Sequence, residues 1–171
     1  MSWTRRKIRS LALAAALPAG LLITAPTATG ATSPSCTPGG SYITAARSGA
    51  HTGYDRLVLD VSGSALPAWT AALTTDNTYP MPSGDSKTYL IPGQKYLDLQ
   101  FTGVTTTDKV TGADCYTTAN PLAVNLPALK GIQRTSDFEG YLDLGLSLDG
   151  VTSFQVFTLT SPARVVIDVH H

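Results

Sequence analysis

The stretch Arg-Leu-Val-Leu-Asp-Val at positions 56–61 returns almost unchanged as Arg-Val-Val-Ile-Asp-Val at positions 164–169. In both copies every second residue is Leu, Val or Ile and forms one apolar face, which is the period of a half-buried β-strand. If the copies are neighbours, an antiparallel register sets each arginine opposite the aspartate of the other copy, whereas a parallel register sets like charges opposite each other. The charges therefore favour antiparallel pairing, with Arg56 opposite Asp168 at one end and Arg164 opposite Asp60 at the other.

The same alternation predicts the remaining strands. Residues 141–148 place four leucines on one face, and the Asp-Gly that follows is a strong turn signal before the alternating stretch 153–160. Residues 136–169 are therefore predicted to form a three-stranded meander. Further strands are predicted at 42–46, 54–61 and 96–101, and no segment of about ten residues carries a helical stripe. The predicted fold class is all-β, a small β-sandwich of two facing, mostly antiparallel sheets with solvated outer faces.

Shorter repeats suggest internal pseudo-symmetry. Tyr-Leu-Asp-Leu occurs at 96–99 and at 141–144. The pattern Arg-x(5)-Gly-Tyr occurs at 47–54 and at 134–141. In one interpretation the two halves are variations of one unit, and the repeated hexapeptides are corresponding strands of two similar half-sandwiches. The alternative is that alternating strands resemble one another by composition alone.

The N-terminal residues 1–31 have the features of a secretory signal: a basic opening, then an apolar run over 11–23 and small residues before a cleavage site. The run is shorter than the roughly 20 apolar residues that span a bilayer, so no stable membrane span is expected. We predict export with the Sec route as the default and the twin-arginine route as the alternative, a flexible leader over 32–40 and a single domain over 41–171. After cleavage, eight basic and twelve acidic residues leave a net charge of −4, which disfavours nucleic acid as a partner.

Cys36 and Cys115 are the two cysteines of the chain. In an exported protein an isolated pair is predicted to form a disulfide, which would staple the leader onto the body of the domain. Closing so long a loop stabilises a fold by roughly 4 kcal/mol in the chain-entropy model.

Residues that could carry catalysis are few. Glu139 is the one glutamate, His51 is the one histidine away from the terminal His170-His171 pair, and no Gly-x-Ser-x-Gly occurs. Zinc-dependent hydrolysis needs His and acidic ligands at defined spacing, and that pattern is missing from the sequence. We therefore expect no enzyme activity, no metal site and no cofactor.

A binding function would use exposed aromatic and polar side chains. Trp69 is the tryptophan that remains after cleavage, and it is a candidate for stacking against a sugar ring or else a packed loop anchor. Arg47, Arg134 and Glu139 are candidates for a polar groove, because the two Arg-x(5)-Gly-Tyr units would be related by the pseudo-symmetry. The competing interpretation is that these three are structural turn residues.

Three stretches carry a family resemblance: residues 51–63, 138–150 and 154–169, with Phe-x-Gly and Pro-x-Arg-x-Val-x-Asp-Val as the most specific elements. They resemble the AMIN-like domain of small exported proteins from high-GC Gram-positive bacteria, over roughly residues 40–169. That family is similar to the AMIN domains of N-acetylmuramoyl-alanine amidases, where a sandwich of two symmetric sheets targets its carrier to the cell envelope. We expect no catalytic zinc domain beside the resembling region.

The resemblance implies a non-catalytic, secreted cell-envelope module that binds peptidoglycan or another wall polysaccharide. The alternative from a different class is a secreted protein-interaction module that regulates or inhibits another exported protein, through a sheet edge or the loop from Leu66 to Ser86.

Overall fold

A computed structural model describes residues 36–63 and 65–171 of the chain. The predicted signal peptide, residues 1–31, and the first four residues of the predicted leader lie outside the described residues. Within the described ranges the chain forms strands and no helix. The strands are β1 (Tyr42–His51), β2 (Tyr54–Ser62), β3 (Ala68–Thr74), β4 (Thr78–Pro80), β5 (Ser86–Thr88), β6 (Lys95–Thr102), β7 (Leu122–Ala123), β8 (Leu129–Phe138), β9 (Tyr141–Leu148), β10 (Ser153–Thr160) and β11 (Ala163–His170).

The strands build two main sheets and a small hairpin. The first sheet has the order β1-β2-β11-β10, the second has the order β3-β6-β9-β8-β7, and β4 pairs with β5. All of these strand pairs are antiparallel. The predicted all-β sandwich is confirmed.

The core lies between the two main sheets, where alternate residues of each strand meet. It is built from fully buried aliphatic and aromatic side chains, among them Leu57, Leu59, Leu97, Leu99, Phe101, Leu142, Leu144, Leu146, Leu148, Val165, Ile167 and Val169. Burying one such side chain contributes about 1.5–3 kcal/mol relative to leaving it exposed. The period-two pattern thus fixes which face of each strand points inward and which is left for a site.

The two hexapeptides pair as their charges favour. β2 and β11 are antiparallel neighbours in the first sheet, with Arg56 opposite Asp168, Arg164 opposite Asp60 and Val58 opposite Val166. The predicted register is confirmed. Both copies therefore lie side by side in one sheet, and neither faces the other across the core.

The predicted meander over 136–169 is wrong. β9 hydrogen-bonds to β6 on one side and to β8 on the other, so both of its edges are occupied and β10 has no place beside it. At Asp149-Gly150 the chain instead crosses to the other sheet, where β10 pairs with β11. The Asp-Gly turn is present, with Gly150 at φ 58°, but it joins two sheets rather than two neighbours.

The two Arg-x(5)-Gly-Tyr units lie in corresponding hairpins. One unit runs from β1 through the turn into β2, and the other runs from β8 through the turn into β9. The two Tyr-Leu-Asp-Leu copies lie on β6 and β9, which are neighbours in the second sheet, just as the hexapeptides are neighbours in the first. The repeated sequences thus mark interior strands of the same sheet.

The outer face of the second sheet is not fully solvated, contrary to expectation. Tyr79 and Tyr89, from the segment that contains β4 and β5, pack there against Tyr96 of β6. The rings of Tyr89 and Tyr96 stack with their centroids 4.6 Å apart. Gly145 lies beneath this cluster, because a Cβ at that position would collide with the Tyr89 ring.

The predicted disulfide is confirmed. Cys36 and Cys115 are bonded, with their Cα atoms 6.0 Å apart. Next to it, Thr37 donates hydrogen bonds from its backbone nitrogen and its hydroxyl to Asp108, both at 2.6 Å. The described end of the leader is therefore held on the loop that follows β6.

Candidate functional site

The four residues predicted as ligand contacts lie on different parts of the sandwich. Arg47 is on β1 of the first sheet, Trp69 is on the edge strand β3, Arg134 is on β8, and Glu139 is in the turn between β8 and β9. Among the contacts of the described residues, none joins two of these four. Ligand contact by these residues stays a prediction.

Both arginines are engaged within the protein. Arg47 forms a two-pronged ion pair with Asp60, at 2.9 and 2.6 Å. Arg134 binds Asp114 through two hydrogen bonds of 3.0 Å, and its guanidinium lies 5.7 Å from the centroid of the Tyr116 ring. The bond from Arg134 lowers the pKa of Asp114 and the same pair raises the pKa of Arg134. These partners give both arginines a structural role.

A network of carboxylates and threonines fixes the loop that carries Asp114. Asp137 on β8 accepts hydrogen bonds from the hydroxyls of Thr105 and Thr106 and from the backbone nitrogen of Thr106, at 2.7–2.9 Å. The hydroxyl of Thr106 also contacts Arg134. The region around Arg134 is thus a satisfied internal network rather than an open groove.

Glu139 occupies a strained turn. It has φ 50°, in the left-handed region that favours glycine, and it is followed by Gly140 at φ 86°. Gly140 borders a cavity of about 440 Å³ at the end of the sandwich, together with Thr37, Tyr42, Lys109 and Val110. Lys109 is the one charged residue that lines this cavity.

The histidines converge on one end of the first sheet. His51 stacks on Tyr54 with ring centroids 4.6 Å apart, and Tyr54 also contacts His170. Nε2 of His171 lies 3.7 Å from Oδ1 of Asp55, a fully buried carboxylate whose other oxygen accepts hydrogen bonds from the start of β8. No group of three or more His, Cys, Asp or Glu side chains suited to a metal ion occurs in the described part of the chain.

A polar cleft on the outer face of the second sheet was missed by the sequence analysis. Its volume is about 250 Å³. Its polar lining comes from four strands of the sheet and from the aromatic cover, which Tyr79 and Tyr89 form, namely Thr70, Tyr79, Asp98, Gln100, Thr135 and Asp143. We call this cavity the sheet cleft. Unlike the cavity beside Gly140, the sheet cleft includes two carboxylates in its lining.

Strand alternation places the two carboxylates there. In β6, Leu97 and Leu99 point into the core, so Asp98 between them points outward; Leu142 and Leu144 leave Asp143 outward in the same way. Each aspartate is the third residue of a Tyr-Leu-Asp-Leu copy. Because β6 and β9 are neighbours, the repeat itself sets both aspartates on one face, and this was the signal that could have revealed the cleft.

The walls of the sheet cleft are held by hydrogen bonds. The hydroxyl of Tyr89 donates to Asp98. Gln133 donates to the hydroxyl of Tyr79 at 3.1 Å and accepts from the backbone nitrogen of Leu90 at 2.9 Å. These hydrogen bonds fix the aromatic cover to the sheet.

The electrostatics of the sheet cleft are unbalanced. Burial raises the pKa of Asp143, the negative charge of Asp98 raises it further, and a hydrogen bond from Gln100 acts in the opposite direction. Oδ1 of Asp143 is buried and has no hydrogen-bond partner in the described structure. Burial and then the hydrogen bond to Asp98 raise the pKa of Tyr89, which keeps its phenol protonated. The cleft thus presents an acceptor surface that carries negative charge.

The described residues define a small all-β protein, a disulfide-linked sandwich with a preformed acidic cleft on one outer face. They contain no helix that could span a lipid bilayer. The family model of the AMIN-like domain matches residues 41–171, and the chain belongs to that family. Comparison with curated proteins and with solved structures found no match in either set.

Proposed function

We propose that this protein is a secreted, non-catalytic cell-envelope module that binds peptidoglycan or another wall polysaccharide through the sheet cleft. Membership of the AMIN-like family supports a role related to the cell wall. The Cys36–Cys115 disulfide supports an oxidising compartment outside the cytoplasm.

The observation that carries this proposal is the composition of the sheet cleft. Carboxylate, amide and hydroxyl groups converge in it from β3, β6, β8 and β9, and Tyr79 closes one side. Such groups accept hydrogen bonds from sugar hydroxyls and peptide N–H groups, and the amide and hydroxyl groups also donate them. The apolar Ala72 and Pro80 provide contact for the C–H surface of a ligand. A preformed cleft with a few fixed polar groups is the usual form of a small-ligand site.

The test is retention of the oxidised protein, residues 32–171, by purified peptidoglycan sacculi from which wall proteins have been removed. Wild-type protein should pellet with the sacculi, and Asp98→Asn and Gln100→Ala should each reduce the retained fraction. Asp85→Asn is the matched control, because Asp85 is an exposed aspartate on the β4–β5 hairpin that bonds Ser83. Protein that stays in the supernatant would contradict the proposal, and release of reducing sugar ends would contradict its non-catalytic part.

The retained fraction also tests the earlier candidates. If Trp69→Ala, Arg47→Ala or Arg134→Ala reduces retention while its thermal midpoint stays close to that of the wild type, that residue contacts the wall. If only the cleft variants lose retention, those three residues serve the fold.

A second candidate function, binding of an exported protein, is favoured by the edge strand β3. Residues 68–74 contain no charge and no proline, which are the usual protections of an exposed edge. Trp69 and Leu73 on this strand are 39% and 38% exposed. Leu73→Lys would charge this edge at a residue that does not line the sheet cleft, and it should abolish co-purification of a polypeptide partner while leaving retention by sacculi unchanged.

A further inference from the structure

The two carboxylates of the sheet cleft are close enough to share one ligand group. Asp98 lies opposite Gly145 and Gln100 lies opposite Asp143, so the two aspartates are diagonal neighbours on the same face. Diagonal neighbours on antiparallel strands have Cα atoms about 7–8 Å apart and Cβ atoms somewhat closer. Because charge-assisted N–H···O bonds measure about 2.7–2.9 Å, one nitrogen between the two side chains can reach both.

No cation among the described residues compensates these charges. Three arginines bind aspartates outside the cleft, through the pairs Arg47–Asp60, Arg56–Asp168 and Arg134–Asp114. Lys95, Lys130 and Arg164 donate to backbone carbonyl oxygens. Neither remaining lysine of the described residues, Lys87 or Lys109, contacts Asp98 or Asp143. Asp98 accepts a hydrogen bond from Tyr89, but buried or partly buried charges in proteins are normally paired with an opposite charge, and the described residues supply none to these two carboxylates.

The unpaired oxygen of Asp143 points to what is missing. Oδ1 is a buried acceptor without a donor, and an unmade hydrogen bond at a charged group is costly. A ligand that brings both a positive charge and N–H donors would satisfy this oxygen and offset the repulsion between the two aspartates. A neutral hydroxyl would satisfy the oxygen but leave the repulsion in place.

We infer that the sheet cleft binds a primary ammonium group. The positive head would lie between Asp98 and Asp143, and the C–H surface that carries it would contact Ala72 and Pro80, which also line the cleft. Calcium is a poorer fit, because it takes six to eight oxygen ligands and the described residues hold no cluster of three or more acidic or metal-binding side chains.

This inference rests on the proposed function for the source of the ligand, a wall polymer with free amino groups. Two sources carry the same chemistry: the amino group of a deacetylated amino sugar, and the side-chain amine of a wall peptide. In both, N-acetylation removes the positive charge and leaves the rest of the ligand nearly unchanged. That single chemical change isolates the ammonium group.

The experiment titrates the oxidised protein, residues 32–171, at pH 7 and low salt by isothermal calorimetry. One pair of probes is a glucosamine trimer and its fully N-acetylated form. The other pair is a blocked tripeptide with a central lysine and the same peptide with acetyl-lysine. At least one ammonium probe should bind, and its acetylated form should bind about tenfold or more weakly, as expected for loss of a charge-assisted bond. The pair that responds identifies the source.

Two variants complete the design. Asp143→Asn and Asp98→Asn should each weaken binding of the ammonium probe by a similar factor, and Asp85→Asn should leave that binding unchanged. If a cleft variant fails to fold, the comparison of free and acetylated probes on wild-type protein still decides the question. Equal binding of free and acetylated probes, or no binding of either ammonium probe at millimolar concentration, overturns the inference.

Sacculi measured in parallel separate this inference from the proposed function. Retention that survives acetylation of the sacculi with acetic anhydride leaves the wall-binding function standing and contradicts the ammonium site. If the protein binds an ammonium probe but is not retained by sacculi, the ammonium site stands and the wall-binding function is contradicted.

Discussion

Arg56 and Asp168, 112 residues apart in the chain, form a two-pronged ion pair across β2 and β11, with both hydrogen bonds at 2.7 Å. The Asp168 side chain is almost fully buried and that of Arg56 is about one-third exposed. The pair joins the first described hairpin of the domain to its last. It therefore fixes the register of the two interior strands of the first sheet.

Reversing one charge of this pair should destabilise the fold. We expect Asp168→Arg to lower the free energy of unfolding by about 2–4 kcal/mol, because it leaves two like charges in a partly buried site. The double variant with Arg56→Asp should recover part of that loss, with a coupling energy of about 1–3 kcal/mol. Urea denaturation of the four proteins measures the cycle.

The reciprocal pair supplies the control. Arg164 lies opposite Asp60 in the same register, but Asp60 is bound by Arg47 instead. Arg164→Asp should therefore cost less than Asp168→Arg. If the unfolding free-energy changes of the two single variants simply add in the double variant, the ion pair between Arg56 and Asp168 contributes no coupling energy.

This register could be predicted because the information is local to two hexapeptides and both charges repeat within them. The crossing at Asp149-Gly150 could not, since a turn signal specifies the local backbone and not the sheet that the next strand joins. The sheet cleft was hidden for a related reason. Asp98 and Asp143 are separated in sequence, and only the pairing of β6 with β9 brings them to one face. Covering of that face by Tyr79 and Tyr89 depends on a long connection with no strand period of its own.

Acid should loosen the anchored leader. Hydrogen bonds from Thr37, first from its hydroxyl, hold the pKa of Asp108 well below its usual range. A carboxylate with a depressed folded-state pKa contributes stability that is present above its unfolded pKa and lost as pH falls through the folded one. Wild-type stability should therefore decline from about pH 4 downward. Asp108→Asn should be less stable at pH 7 and show a flatter decline, measured by thermal denaturation from pH 7 to pH 2.

Asp76→Asn is a suitable control for that titration, because Asp76 is exposed and bonds its neighbour Thr78. Its profile should follow that of the wild type. An Asp108→Asn profile parallel to the wild type would assign the acid sensitivity to other carboxylates.

Loss of the disulfide should be costly. It joins residues 79 positions apart, and a closed loop of that length stabilises the folded state by up to about 4 kcal/mol in the chain-entropy model. The Cys36→Ser, Cys115→Ser double variant should lose most of that amount in urea denaturation. Wild-type protein in reductant should match the double variant, and a wild type unaffected by reductant would contradict a stabilising role.

The ionised carboxylate of Asp143 should lower the stability of the fold while it strengthens binding of the ammonium probe. Burial and the charge of Asp98 raise the pKa of Asp143, so the folded state holds its proton more tightly than the unfolded state does. For such a group, stability is highest where the carboxyl is protonated and falls as pH rises through the raised pKa. Asp143→Asn should therefore raise the thermal midpoint at pH 7 by a few degrees while weakening the ammonium probe. A variant that loses both stability and binding would identify Asp143 as a structural residue.

A side chain at Gly145, which lies on β9 beneath the aromatic cover, should destabilise the fold. A Cβ there would collide with the Tyr89 ring, so Gly145→Ala must displace a side chain that bonds Asp98. Overpacking of this kind costs about 1–3 kcal/mol, and here it would also shift the wall of the sheet cleft. In a Tyr89→Ala background the ring that the new methyl group would collide with is gone, so the cost of the substitution should fall to within about 0.5 kcal/mol of zero. Tyr89→Phe keeps the ring and should give no such relief. Equal costs in all three backgrounds, measured by urea denaturation, would show that the cover is not packed on Gly145 in solution.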